Sequence, residues 1–304
     1  MSTVALVGDV DGGVLRAAGW DVVGALATTP YDDPRDVPSY ASMEELCADD
    51  GLDAVALDGA DPLLARHLPV LRAHGKHVLL PTAAPLALDL LRAARTVETS
   101  AEVVVALGER WEPWALTAAA AVQLVGTPVV QATVRGWPTG TAAAAELVDL
   151  AQAWCGEVVA VAAAPAPLPA TSLGEGLAVA WSLLHASGAT VLVSHRGAPA
   201  LARLSFATAR LEAGPLGARW EGGAELPLLT GPDRREVPHR AAVPPGTPAG
   251  LLGCAVDLLE AARHGELRLG RWPWPADLGD LQSVSRVLAA LRESARTEAP
   301  VRVG

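Results

Sequence analysis

Residues 3–17 read TVALVGDVDGGVLRA: a short apolar run, a glycine-rich turn and a helix-compatible stretch. Val4–Val7 is the strand, GDVDGG the tight turn, and Val14–Ala18 the helix. The alternation continues beyond it. Val22–Ala27 is a second strand, and Thr28–Pro38 is a Pro/Asp-rich loop. Ser42 then has the N-cap position and Glu45 the capping-box position of a short helix. Asp53–Leu57, Lys76–Leu80 and Glu102–Leu107 are further strands, separated by helices over Pro62–Ala73 and Leu86–Glu98. Strands alternating with helices at this spacing predict an α/β fold with a doubly wound parallel sheet.

From about Trp111 the pattern changes, which places a first domain at 1–112 and a second at 113–304. Pro113–Val125 and Ala142–Cys155 read as helices, each stopped by glycine. Val129–Arg135 and Val158–Ala163 read as strands, and three further strand-like runs lie around Leu177–Leu184, Thr190–His195 and Leu201–Leu211. Pro227–Pro248 reads as a loop, and helices over Ala249–His264 and Asp277–Arg296 finish the chain. The second domain is expected to be α+β, built on one open, mostly antiparallel sheet.

Hydrophobic residues make up 51% of the 304, enough to fill real cores, and the formal net charge of −11 argues against a nucleic-acid-binding face. Ile and Asn are absent and Lys76 is the single lysine, a skew that follows GC-rich codon usage. Cys47, Cys155 and Cys254 are far apart, with no C-x-x-C pair, and the histidines show no metal-ligand spacing. With no basic leader and no apolar run of membrane-spanning length, the expectation is a cytoplasmic protein without a membrane segment.

Several pieces in order carry a family resemblance: Val4-Ala-Leu-Val-Gly8, Tyr40-Ala-Ser-Met-Glu-Glu-Leu46, Leu52-Asp-Ala-Val55, Leu71–Val78, Gly108-Glu-Arg-Trp111 with Pro113, Gly126-Thr-Pro128, Asp149 through Trp154 to Gly156-Glu157, and Glu293-Ser-Ala-Arg296. Together they make the chain similar to the Gfo/Idh/MocA oxidoreductases. The resemblance implies a Rossmann-like N-terminal domain for a dinucleotide. It also implies a C-terminal domain whose open sheet faces substrate and supports a homo-oligomer. The implied cofactor is NAD or NADP, and the implied ligand is a small molecule.

The functional positions match less well. A dinucleotide fingerprint needs glycine at its second position so that backbone can approach the pyrophosphate. Gly8 and Gly13 match the first and third glycines, but Val10 stands at the second, where a β-branched side chain would obstruct that approach. Asp9 and Asp11 add negative charge beside the helix terminus. The ribose-binding acid expected near Ala27 or Thr28 is missing, with Asp32, Asp33 and Arg35 a few residues on. The turn after the third strand carries Asp58 and Asp61.

By resemblance, Pro81, Thr82 and Ala83 occupy the places of a Glu-Lys-Pro motif whose lysine assists proton transfer. Thr82 does not titrate near neutrality. Glu146 and Asp149 match the spacing of the family's acid/base pair with Glu in place of His. Three apart on one helix face, two carboxylates aimed into one cleft would raise one pKa; a solvated face is the bland alternative. Arg110 and Trp111, with Trp114 nearby, are the substrate-binding candidates, since Arg recognises carboxylate or phosphate and Trp stacks on sugars. His185 reads as a packed histidine. Three functions stay open: an NAD(P)-dependent dehydrogenase with atypical residues, a binding or accessory partner of another enzyme that holds no cofactor, and a redox-neutral acid/base enzyme using Glu146 and Asp149.

Overall fold

The computed structural model describes residues 3–17, 19–26, 37–81, 84–125, 127–138, 140–164, 180–194, 201–207, 209–214, 217–222 and 276–304. The chain divides into two compact units. The first comprises Met1–Gly108 with the described part of Val243–Ser285, and the second Glu109–Ala242 with Arg286–Gly304.

In the first unit, β1 (Thr3–Val7), β2 (Asp21–Leu26), β3 (Ala54–Leu57), β4 (His77–Leu80) and β5 (Val103–Val105) form one parallel sheet in the order β2-β1-β3-β4-β5. The near-continuous apolar strands suit it, because a parallel sheet carries helices on its faces and hides its strands. The connections carry α1 (Gly12–Ala17), α2 (Met43–Ala48), α3 (Pro62–Ala65), α4 (Leu68–Ala73) and α5 (Leu88–Thr96). Ser42 caps α2 by accepting from the Glu45 amide, while the Glu45 carboxylate reaches back to the amide of Ala41. The helix expected over Pro62–Ala73 is two short helices. Pro69 has no N–H to give, and its ring would strike the carbonyl of Ala65, so the chain breaks at Arg66–His67 and restarts with the proline in the first turn of α4.

In the second unit a 3-10 turn, Gly108–Trp111, leads into α6 (Pro113–Val125) and α7 (Thr141–Cys155). Strands β6 (Gln131–Arg135), β7 (Val158–Ala164), β8 (Ala180–His185), β9 (Thr190–Ser194), β10 (Leu201–Ser205), β11 (Ala209–Gly214), β12 (Gly217–Gly222) and β13 (Val301–Arg302) make one sheet in the order β12-β11-β10-β6-β9-β8-β7-β13. Only β6 and β9 run parallel; the other pairs are antiparallel. The expected open, mostly antiparallel sheet is therefore present. The run Leu201–Leu211 is not one strand but the two arms of a hairpin, closed by the Phe206 amide donating to Ala209. Inner residues such as Trp181, Leu183, Val191, Val193 and Leu204 are buried, while their neighbours Leu184 and Leu192 face outward. The last helix, α8 (Leu278–Thr297), matches the expected Asp277–Arg296 within a residue. The expected helix Ala249–His264 and loop Pro227–Pro248 lie outside the described residues.

No helix among the described residues is long and apolar enough to cross a membrane.

Gly8 shows how tightly the first unit closes over the end of β1. Its φ is +87°, and an added Cβ would lie 2.4 Å from Leu64 Cδ1 and 2.7 Å from Asp58 Cβ. Both the backbone conformation and the space exclude a side chain. Gly8→Ala should cost roughly 2–4 kcal/mol in urea unfolding, combining backbone strain with overpacking; a loss below ~0.5 kcal/mol would contradict this packing.

Candidate functional site

The order β2-β1-β3 puts the topological switch point of the first sheet at the carboxyl ends of β1 and β3, where open α/β sheets bind ligands. Gly8 follows β1 and Asp58 follows β3, and the Asp58 amide donates to Val7. Val10 is 7% exposed and packs into the core with Leu6, Leu15 and Trp20. Its side chain is thus part of the core packing of this unit. The nearby carboxylates accept from backbone amides. Asp11 Oδ1 accepts from the amides of Gly13 (2.8 Å) and Val14 (3.3 Å), the first-turn donors of α1. Asp58 accepts from the Ala60 amide at 2.9 Å, and Asp61 caps α3 through the Leu63 amide at 2.8 Å. Two of the first-turn amides of α1 that could receive a pyrophosphate, those of Gly13 and Val14, are thus already engaged by the Asp11 carboxylate, a poor fit for that group. Pro81 is half-buried at the end of β4. Thr82, the ribose-acid region Ala27–Arg35, and Ala83 lie outside the described residues.

Within the second unit the 3-10 turn and α7 bring a set of charged groups together. Arg110 donates through Nε and Nη2 to the two oxygens of Asp149, each at 2.6 Å, and both residues are 4% exposed. Such a bidentate pair fixes geometry as well as charge. Glu146, one turn earlier on α7, is half-buried and accepts the Glu109 amide at 3.2 Å. Asp149 and Glu146 share a helix face as their spacing predicts, but Asp149 answers to a guanidinium instead of its neighbour.

The perturbed carboxyl of the cluster is Glu109. Burial, then the nearby Glu112 carboxylate, push its pKa up to about 7 against the Trp114 indole, which donates to it. Burial also raises Glu112. Trp114 is itself buried and meets Trp137 and Trp154 edge-to-face, with ring centroids 5.9 Å apart in each case. Trp111 lies in the 3-10 turn. A carboxyl that is half protonated near neutrality can both give and take a proton.

Within GERW the sequence pointed to Arg110 and Trp111 as substrate-binding candidates and passed over Glu109. The signal available was its place directly after the buried run Val103–Leu107. Lys76 is structural: its Nζ donates to the carbonyls of Asp49 and Leu52. His185 is packed as expected, with Nδ1 against the Gly156 carbonyl at 2.6 Å. No group of three metal-ligating side chains occurs among the described residues.

Solved structures share this fold. The WlbA dehydrogenase from Bordetella pertussis, in complex with NADH and UDP-GlcNAcA, superposes with a TM-score of 0.75 at 15% identity, covering 99% of this chain and 98% of that one. The fold is that of the Gfo/Idh/MocA oxidoreductases. The aldose–aldose oxidoreductase from Caulobacter crescentus, complexed with glycerol, gives a TM-score of 0.70 at 17% identity over 99% of both chains. An oxidoreductase from Agrobacterium radiobacter, in complex with NAD+, L-tartaric acid and magnesium, gives 0.69 at 15% identity over 100% and 98%. No family model matches the sequence, and no curated protein matches it. At these identities the Gfo/Idh/MocA scaffold is what is shared.

The buried pair sets a clear expectation. Arg110→Ala leaves the Asp149 carboxylate buried without its partner and should cost about 3–5 kcal/mol by denaturant unfolding, whereas Arg110→Met combined with Asp149→Leu should recover most of that loss. A single-variant cost under ~1 kcal/mol would show that the pair is not a fixed part of the core.

Proposed function

We propose that this protein uses the Gfo/Idh/MocA scaffold for redox-neutral acid/base chemistry, elimination or isomerisation, on a small polar metabolite in the cytoplasm. The observation that carries the reading is Glu109, a carboxyl pushed up to about 7 by burial and by Glu112, on a turn tied to α7 through the Glu109 amide to Glu146 and through Arg110 to Asp149. In this reading Glu109 moves the proton, Glu146 holds the turn that presents it, and Asp149 keeps Arg110 in place. The replacement of the family's lysine by Thr82 supports it, because hydride transfer at a carbon bearing a hydroxyl needs a group to take the hydroxyl proton. The first unit then serves as a ligand-holding scaffold and the second, which begins at Glu109, as the chemical one. The accessory-protein alternative keeps the same scaffold, with a partner enzyme in place of a substrate.

The second reading is an NAD(P)-dependent dehydrogenase with atypical residues. Neighbouring structures that contain NADH or NAD+ favour NAD(P) as the cofactor of this chain, and so does Val10, whose side chain is buried in the core. A bound nicotinamide would supply hydride transfer. Calorimetric titration with NADH and NADPH separates the readings: micromolar binding favours the dehydrogenase.

A homo-oligomer built on the second sheet belongs to the same proposal. Ala160 and Leu184, and Ala162, Ser182 and Leu192, pair across strands on its outer face, giving a small and apolar surface. Light scattering should give a mass of at least two chains; a monomer contradicts this part.

The acid/base reading predicts hydrogen exchange. Incubated in D2O with a panel of sugar acids and hydroxy-ketones, the protein should exchange deuterium beside a carbonyl in at least one of them. The rate should rise with pH through about 7 as the Glu109 base forms. Glu109→Gln should lower it by ~100-fold or more. Undiminished exchange in that variant removes Glu109 from the role.

A further inference from the structure

The carboxyl edge of the first sheet holds an anion of its own making. In a phosphate-binding turn, first-turn amides of the following helix point at the ligand, and their unsatisfied donors attract its charge. Here the Gly13 and Val14 amides donate to one oxygen of Asp11, only two and three residues away. Across the switch point the same arrangement recurs on the other strand, where Asp58 takes the Ala60 amide and Asp61 the Leu63 amide. Four backbone donors along this edge are thus satisfied from within the chain by three carboxylates. The backbone there is also tightly packed: Leu64 and Asp58 occupy the place that a side chain at Gly8 would need. A phosphate arriving here would have to displace Asp11 from its two amides and remain beside the displaced charge. Both steps cost energy, the first in lost hydrogen bonds and the second in like-charge repulsion.

We propose that Asp11 is an internal substitute for a ligand phosphate, so that this edge selects against dinucleotides and in favour of uncharged or cationic ligands lacking phosphate. Selection by a repulsive element needs no attractive contact to the preferred ligand. The inference rests on the redox-neutral reading above, to which it adds the residue that enforces cofactor exclusion. The obstacle is local and electrostatic, so it is removable.

The experiment compares wild type with Asp11→Ser and Asp11→Asn by quenching of tryptophan fluorescence and by calorimetry. NADH is the probe, and reduced nicotinamide riboside is the control without pyrophosphate. Both substitutions keep an oxygen that accepts from the Gly13 amide, and thermal melting reports whether each variant is folded. Wild type should show no saturation up to ~1 mM NADH, while the neutral variants should bind at least ~10-fold more tightly, with the riboside unaffected. If wild type stays silent and both folded variants stay silent too, Asp11 is not the determinant, and the inference falls while the redox-neutral reading stands. If wild type itself binds NADH at micromolar concentration, the inference and that reading fall together. An equal gain for NADH and the riboside also overturns the inference, because the effect would then not concern phosphate.

Discussion

A guanidinium buried at 4% exposure must be matched where it lies, and the bidentate bond from Arg110 to Asp149 is the constraint on which the second unit's polar cluster depends. It ties the turn that follows the apolar run Val103–Leu107 to the middle of α7. That attachment has two consequences. Asp149 is consumed as a counter-ion, and Glu109, adjacent to Arg110 in the chain, is carried into a place where its neighbours are the Trp114 indole and the Glu112 carboxylate. Desolvation without a cation of its own is what raises a carboxyl pKa. The rise seen at Glu109 follows from where Arg110 is spent.

The first unit manages charge differently. Asp11, Asp58 and Asp61 at its sheet edge are short-range caps, each bonded to an amide two or three residues on, and they need no cation because backbone N–H groups receive them. Such caps stabilise turns and helix starts, the ordinary use of Asp at these places. On this scaffold they also fall at the switch point of the sheet, so a local stabilising device acquires a consequence for ligand choice. The two units thus present opposite chemistry: one satisfies its donors internally, and the other holds a carboxyl poised to exchange a proton.

Much of the fold was legible because strand and helix periods are local. β1 to β5 follow the expected order, and α6 spans the expected Pro113–Val125. The misses have particular causes. Pro69 breaks the helix over Pro62–Ala73 through a clash four residues back. The run Leu201–Leu211 hides a hairpin because its apolar residues continue through the turn at Phe206. The site was less legible for a different reason. Glu146 and Asp149 were found by spacing, but the partner of Asp149 lies 39 residues upstream, and a pairing across that distance leaves no periodic trace. Val10 was read as an obstruction to a pyrophosphate, and the fold buries it in the core cluster that holds Leu6 and Leu15. Glu109 became visible only through the burial and neighbours that the fold imposes.

The central claim is that Glu109, and not the helix pair Glu146 and Asp149, carries the exchangeable proton. Carbon-13 NMR of protein labelled at the glutamate carboxyls tests it directly, with Glu109→Gln identifying the resonance. The account predicts that the signal lost in that variant titrates with a midpoint of about 7. A Glu109 signal titrating at the ordinary glutamate value, roughly 4.3, would contradict it.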